Sequence, residues 1–125
     1  MDWLLKTEPS DYSFDDLKKE RKTVWDGVEN PVALKHLASM KKGDRVVVYH
    51  TGTERAAVGK GTVASVKGDP ARPQVEIAAG ERLHEAVVLA AMKLSPLFED
   101  SPLVKMGRLS VVPLTPAQYT FIAGD

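Results

Sequence analysis

Lys42-Gly43-Asp44 leads into Arg45-Val46-Val47-Val48-Tyr49, and this stretch constrains the fold most. Consecutive β-branched residues are stiff at χ1 and suit a pleated strand better than a helix. The turn before the run bounds it, as a strand requires. Further extended runs begin at Trp3-Leu4-Leu5, over 57–67, over 74–79 and at Leu109-Ser110-Val111-Val112. Gly59 and Gly61 inside the long run predict a bulge or a close backbone approach. Between the strands lie helix signals. Ser13 with Asp16 makes a capping-box-like start for a helix to about Glu20, with Phe14 and Leu17 on one face. Asn30-Pro31 opens a second helix ending near Met40, and Thr115-Pro116-Ala117-Gln118 opens a last one through Phe121. Residues 86–93 read as helix-like, against the grain of Val87 and Val88. Lys18 to Lys22 reads as the solvated, cationic end of the first helix. Without a βαβ rhythm, the class is α+β: a curved, mainly antiparallel sheet or small barrel with helices on its margins.

The 125 residues, 43% hydrophobic, fit one domain over 1–125 that buries a core without staples. The absence of cysteine excludes disulfides, thiolate metal sites and cysteine nucleophiles. With three scattered histidines (His36, His50, His84), no metal and no cofactor is expected. Net charge is zero and the pI near 6.8, so long nucleic acid held chiefly by phosphate contacts is disfavoured. No apolar run approaches a membrane span, and Met1-Asp2-Trp3 lacks a signal peptide's basic and apolar regions. A cytoplasmic, monomeric protein is the expectation.

The chain has two Trp, three Tyr and three Phe, and Trp3, Tyr12, Phe14, Trp25 and Tyr49 all lie in its first part. Both tryptophans, Tyr49 and His50 stand at or near ends of extended apolar runs, where a ring can face a cleft. Lys6, Thr7 and Glu8 follow the first run directly, supplying a donor, a hydroxyl and an acceptor. Gly27 permits a turn that fixes Trp25 at its edge. Rings beside such groups suit a planar polar ligand: stacking binds the face and hydrogen bonds read the edge. From composition alone these aromatics read first as core, and Lys6-Thr7-Glu8-Pro9 reads equally as a plain loop. GxSxG, HExxH, phosphate-loop and zinc-deaminase patterns are all absent.

Taken in order, Trp3-Leu4-Leu5-Lys6-Thr7-Glu8-Pro9, Tyr12 to Leu17, Trp25-Asp26-Gly27-Val28, Tyr49-His50 and Gly107-Arg108-Leu109-Ser110-Val111 resemble the EVE domain. That family takes in thymocyte nuclear protein and many small bacterial proteins. The resemblance covers essentially the whole chain. It implies a PUA-like pseudo-barrel with flanking helices and a pocket for a modified base flipped out of DNA or RNA. It implies site residues Trp3, Lys6, Thr7, Glu8, Trp25, Gly27, Val28, Asn30, Tyr49, His50, Thr51, Arg108 and Ser110. In that reading Trp25 and Trp3 stack on the base, while Tyr49, His50, Thr7 and Ser110 bind its edge. Lys6 and Arg108 meet phosphate or an electronegative substituent. The chain also departs from the family. Glu29-Asn30-Pro31-Val32-Ala33-Leu34-Lys35 keeps only Asn30 and Ala33 of the usual Arg-Asn-Tyr-Gln-Ala-Arg-Asn. Thr51 replaces a Ser, and Gln74 stands where a Trp is usual.

The leading expectation is therefore a non-enzymatic reader of a modified nucleobase. A small hydrolase of modified nucleosides is the alternative, with Lys6, Glu8 and His50 as its acid/base set. A small-molecule or protein-interaction module with a decayed pocket is the third.

Overall fold

The structure, a computed structural model, describes residues 1–124. It is α+β, as expected, built on a six-stranded sheet. In chain order the strands are β1 (Asp2–Thr7), β2 (Lys22–Val24), β3 (Arg45–His50), β4 (Ala56–Lys67), β5 (Gln74–Val88) and β6 (Val111–Leu114). The helices are α1 (Phe14–Glu20), α2 (Pro31–Ser39), α3 (Leu89–Leu94), α4 (Pro102–Lys105) and α5 (Pro116–Ala123), with a 3-10 turn at Pro96–Phe98. Strand order is β2-β5-β4-β3-β1-β6, so β2 and β6 are the edges of an open sheet. Every pairing is antiparallel except β1 with β3. Among the described residues no helix is long and apolar enough to cross a membrane.

The capping signals act as the sequence predicts. Ser13 Oγ accepts from the Asp16 amide and Asp16 accepts from the Ser13 amide; Thr115 and Gln118 do the same for α5. Asn30 Oδ1 accepts from the amides of Val32 and Ala33 at the start of α2. The expected helix at 86–93 is corrected: residues 86–88 belong to β5 and the helix begins at Leu89. Val87 and Val88 pair with Ala57 and Ala56, and their β-branched side chains favour that ladder. The strand expected over 109–112 lies instead at Val111–Leu114. Pro113 is tolerated there because β6 is an edge. Lys22 is not the end of α1: Arg21, at φ 70°, terminates the helix and Lys22 starts β2.

Two local constraints position the sheet. At one end, Arg45 grips Asp2 through two hydrogen bonds of 2.8 Å. The Asp44 carboxylate there accepts from the Trp3 indole (3.0 Å), the Lys41 amide (2.9 Å) and the N-terminal ammonium (3.3 Å). These contacts set the β1–β3 register, Asp2 opposite Arg45 through Thr7 opposite His50. On the long strand, a Cβ at Gly59 would lie 2.3 Å from the Phe14 ring, and one at Gly61 2.7 Å from the Ala78 carbonyl oxygen. The β4–β5 register shifts on both sides of Gly59. The two glycines thus provide both the bulge and the close approach their spacing predicts.

Gly59→Ala is expected to lower stability by about 1–3 kcal/mol or more, read as a reduced urea midpoint with unchanged m. Phe14 is fully buried and cannot swing aside. Asp44 gives a second expectation. Burial opposes its ionisation, but the Trp3, Lys41 and N-terminal donors together hold its carboxyl below the usual aspartate range. A depressed folded value stabilises above the unfolded value, and that stabilisation is lost as pH falls through the folded one. Asp44→Asn should therefore cost about 1–3 kcal/mol at neutral pH. The gap to wild type should close in acid, followed by denaturation across a pH series.

Candidate functional site

A cavity of about 350 Å³ opens between the C-terminal end of β1 and the β2 segment. β1 supplies Lys6 and Thr7, and the following loop supplies Asp11 and Tyr12. β2 supplies Thr23 and Val24; the segment after it supplies Trp25, Asp26, Gly27 and Val28; Ser110 precedes β6. Backbone bonds fix each wall. The Lys6 amide donates to the Ser110 carbonyl (2.9 Å) and the Trp25 amide to the Val75 carbonyl (2.8 Å). Thr7 Oγ1 donates to the Tyr12 carbonyl at 2.7 Å. Gly27 takes φ +75°, which lets the chain turn directly after Trp25 and Asp26.

The aromatic component is a pair. Tyr12 stands edge-on to Trp25, with centroids 6.2 Å apart and planes at 86°. Trp25 is 7% exposed, so it offers the cavity only a part of its surface. The Tyr12 hydroxyl donates to Glu20. Burial first, and the Glu20 bond second, push its pKa up to about 12. The Lys6 ammonium donates to the Gly107 carbonyl at 2.8 Å and lies 5.7 Å from the Tyr49 ring centre. Burial pushes its pKa down. The lining therefore combines one cation, hydroxyls from Thr7, Thr23 and Ser110, and carboxylates from Asp11 and Asp26. Such a set can donate to carbonyl or phosphate oxygens and accept from N–H edges.

Of the residues expected from sequence, Lys6, Thr7, Trp25, Gly27, Val28 and Ser110 converge on this cavity. Trp3, Glu8, Asn30, Tyr49, His50, Thr51 and Arg108 do not line it. Trp3 as a stacking residue is corrected: its ring is 2% exposed and its indole N–H is committed to Asp44. His50 as an edge-binding residue is corrected too. It is buried, Nε2 accepts from the Phe14 amide (3.0 Å), and Nδ1 lies 2.9 Å from Glu54. Tyr49 is buried beneath the β-sheet surface that Lys6 crosses. Glu8 accepts from Ser10 and Thr51, Asn30 caps α2, and Arg108 is exposed on the loop before β6. Sequence reasoning missed Asp11, Tyr12, Thr23, Val24 and Asp26 as lining residues. For Tyr12 a signal existed: an aromatic standing just before a capping serine sits where the chain enters a helix. For Thr23 there was none, because a three-residue strand leaves no periodicity.

Trp25 to Val28 also walls a second, larger cavity of about 580 Å³, closed on its other sides by Glu29, Leu34, Leu37 and residues 71–73. Its charged lining residues are Asp26, Glu29 and Arg72, and Leu34 and Leu37 are among the apolar ones.

The EVE domain family model matches residues 2–124. The chain belongs to the EVE domain family. Solved structures agree. Rpa0253 from Rhodopseudomonas palustris shares 33% identity at a TM-score of 0.89, over 98% of this chain and 90% of that one. Atu2648 from Agrobacterium tumefaciens shares 31% at 0.90, again over 98% and 90%. Human THYN1, thymocyte nuclear protein 1, has the same fold at 24% identity and a TM-score of 0.84, covering 96% and 94%; that structure is a complex with DNA containing 5-methylcytosine. No match is found among curated proteins.

The Lys6 surroundings in this EVE domain lead to a direct expectation. In a pH titration of the reductively methylated protein by ¹³C NMR, the Lys6 signal should titrate below the ordinary lysine value. A Lys6→Arg control identifies the signal.

Proposed function

We propose that this EVE domain is a non-enzymatic reader that takes a modified nucleobase from nucleic acid, DNA in the first instance. One observation carries the reading: Tyr12 and Trp25 share a cavity with Lys6, Thr7, Thr23, Ser110, Asp11 and Asp26. Its size falls within the roughly 300–1,000 Å³ range of small-ligand pockets. A base there would lie against the exposed part of Trp25 and the Tyr12 edge. Lys6 would donate to a carbonyl or phosphate oxygen, and Asp11 or Asp26 would accept from an exocyclic amino group. The complex of human THYN1 with 5-methylcytosine DNA supports the same class of ligand.

Binding rather than turnover is supported by His50. Both its ring nitrogens are engaged inside the protein, which leaves no free base at that position. Flipping a base out of a duplex costs a few kcal/mol, which contacts in the cavity must offset. The zero net charge gives little sequence-independent phosphate attraction, so discrimination rests on the cavity.

Fluorescence anisotropy with labelled oligonucleotides, identical but for one 5-methylcytosine, tests this. The methylated strand should bind more tightly at about 150 mM salt, where surface charges are screened over about 8 Å. Trp25→Ala should weaken that binding by about tenfold or more, since base stacking contributes roughly 1–3 kcal/mol. Ser110→Ala should weaken it less, with circular dichroism unchanged in both variants. Equal affinity for methylated and unmethylated strands, or wild-type affinity in a folded Trp25→Ala, refutes the pocket. Trp25→Phe, which keeps a ring, should fall between the two.

A further inference from the structure

His50 lies outside the cavity, yet it bonds the segment that continues from the cavity wall. Its Nε2 accepts the Phe14 amide, so that nitrogen carries a lone pair and no proton. The ring proton of the neutral imidazole is therefore on Nδ1, donated to Glu54 Oε1. Phe14 is the first residue of α1, and its amide is one of the helix N–H groups that lack a partner within the helix. Tyr12 and Asp11, two and three residues upstream, form one wall of the cavity. That wall is also held by the amides of Asp11 and Tyr12 on the Glu8 carbonyl, by Thr7 Oγ1 on the Tyr12 carbonyl, by the Tyr12 hydroxyl on Glu20 and by the Ser13 amide on Asp16.

We infer that His50 is a positioning residue whose neutral, Nδ1-protonated imidazole holds the Asp11–Phe14 segment in place, so that proton uptake at Nε2 loosens the cavity wall. The proton goes onto the Nε2 lone pair, and two donors, Nε2–H and the Phe14 N–H, then face each other across 3.0 Å. One of them must move. The Phe14 ring is buried against Gly59, so the displacement is directed to the backbone leading back to Tyr12. The charged groups that meet the imidazole are Glu54 at Nδ1 and Glu8 from the end of β1. Thr7 and Ala56, the ladder partners of His50, carry no charge.

The positioning of the segment stands on its own, while its effect on ligand binding rests on the reader function. The experiment separates the two. Hydrogen-exchange protection of the Phe14 amide is measured by NMR between about pH 8 and about pH 5, the span in which an imidazole changes charge. Wild type should lose about tenfold in Phe14 protection on acidification, the loss of roughly one hydrogen bond, while core amides such as Val47 keep theirs. His50→Gln offers a carbonyl oxygen that cannot take a proton, and its Phe14 protection should not vary. The Nδ1-protonated tautomer is read independently from the ¹⁵N shifts of the His50 ring, which keeps the test valid if His50→Gln fails to fold. A proton on Nε2 at pH 8, protection that persists to pH 5, or an identical loss in His50→Gln overturns the inference. The affinity for the 5-methylcytosine strand should fall with the Phe14 protection in wild type and hold in His50→Gln. If Phe14 behaves as expected but no strand binds at any pH, the positioning role stands and the reader function falls.

Discussion

A missing methyl group organises this protein. Gly59 lets the Phe14 ring lie directly on the β4 backbone, at a distance no Cβ could share. Because the ring is seated there, the first turn of α1 has a fixed height above the sheet. The Phe14 amide then meets His50, Ser13 caps the helix, and the chain between Glu8 and Tyr12 has only one short path to follow. The cavity wall at Asp11 and Tyr12 is the end of that path. Close packing makes such a contact unforgiving, since interiors of crystal-like density transmit a displacement rather than absorb it.

Where the chain carries a local rule, the sequence announces its structure. The Ser13/Asp16 and Thr115/Gln118 boxes, the Asn30-Pro31 start and the valine run over 46–48 each point to the element that forms. The paired glycines of β4 likewise announce a bulge and a close approach. Failures occur where a tertiary partner decides. Residues 86–88 look helix-compatible alone, but Ala56 and Ala57 recruit Val87 and Val88 into a ladder. β2 is three residues long and exists only because β5 presents an edge beside it. The site divides in the same way. Strand-end position correctly marks Lys6, Thr7 and Ser110 as able to face a cleft. It cannot tell Trp3 from Trp25, because both follow the same rule. What separates them is the buried Asp44, which captures one indole and leaves the other at the cavity.

The polar residues near the cavity divide between those that face it and those that brace it. Glu8, Thr51 and His50 all look like ligand-binding groups in the sequence, and each spends its hydrogen bonds on the protein instead. Thr51 anchors to the Thr7 carbonyl through its amide and to Glu8 through its hydroxyl, tying the ends of β1 and β3 together. A buried polar group without a partner is costly, so bracing groups of this kind are satisfied at every position. Among the described residues no buried side-chain nitrogen or oxygen is left without one. Lys6 is intermediate: its ammonium donates to the Gly107 carbonyl and the residue also lines the cavity, linking it to the loop before β6.

The lone parallel pairing, β1 with β3, carries a consequence for how such a molecule can change. Parallel strands deliver their C-terminal ends to the same rim. Thr7 and His50 therefore arrive side by side, while Asp2, Trp3, Asp44 and Arg45 are clustered at the other end. Five residue steps separate the two ends, roughly 16 Å at strand rise. The Asp2–Arg45 and Asp44 contacts are at one end of the sheet and the cavity at the other. Residues that line the cavity can be exchanged without touching the Asp2, Asp44 and Arg45 contacts at the far end. A scaffold divided in this way can drift from one ligand to another while its folding stability stays nearly constant.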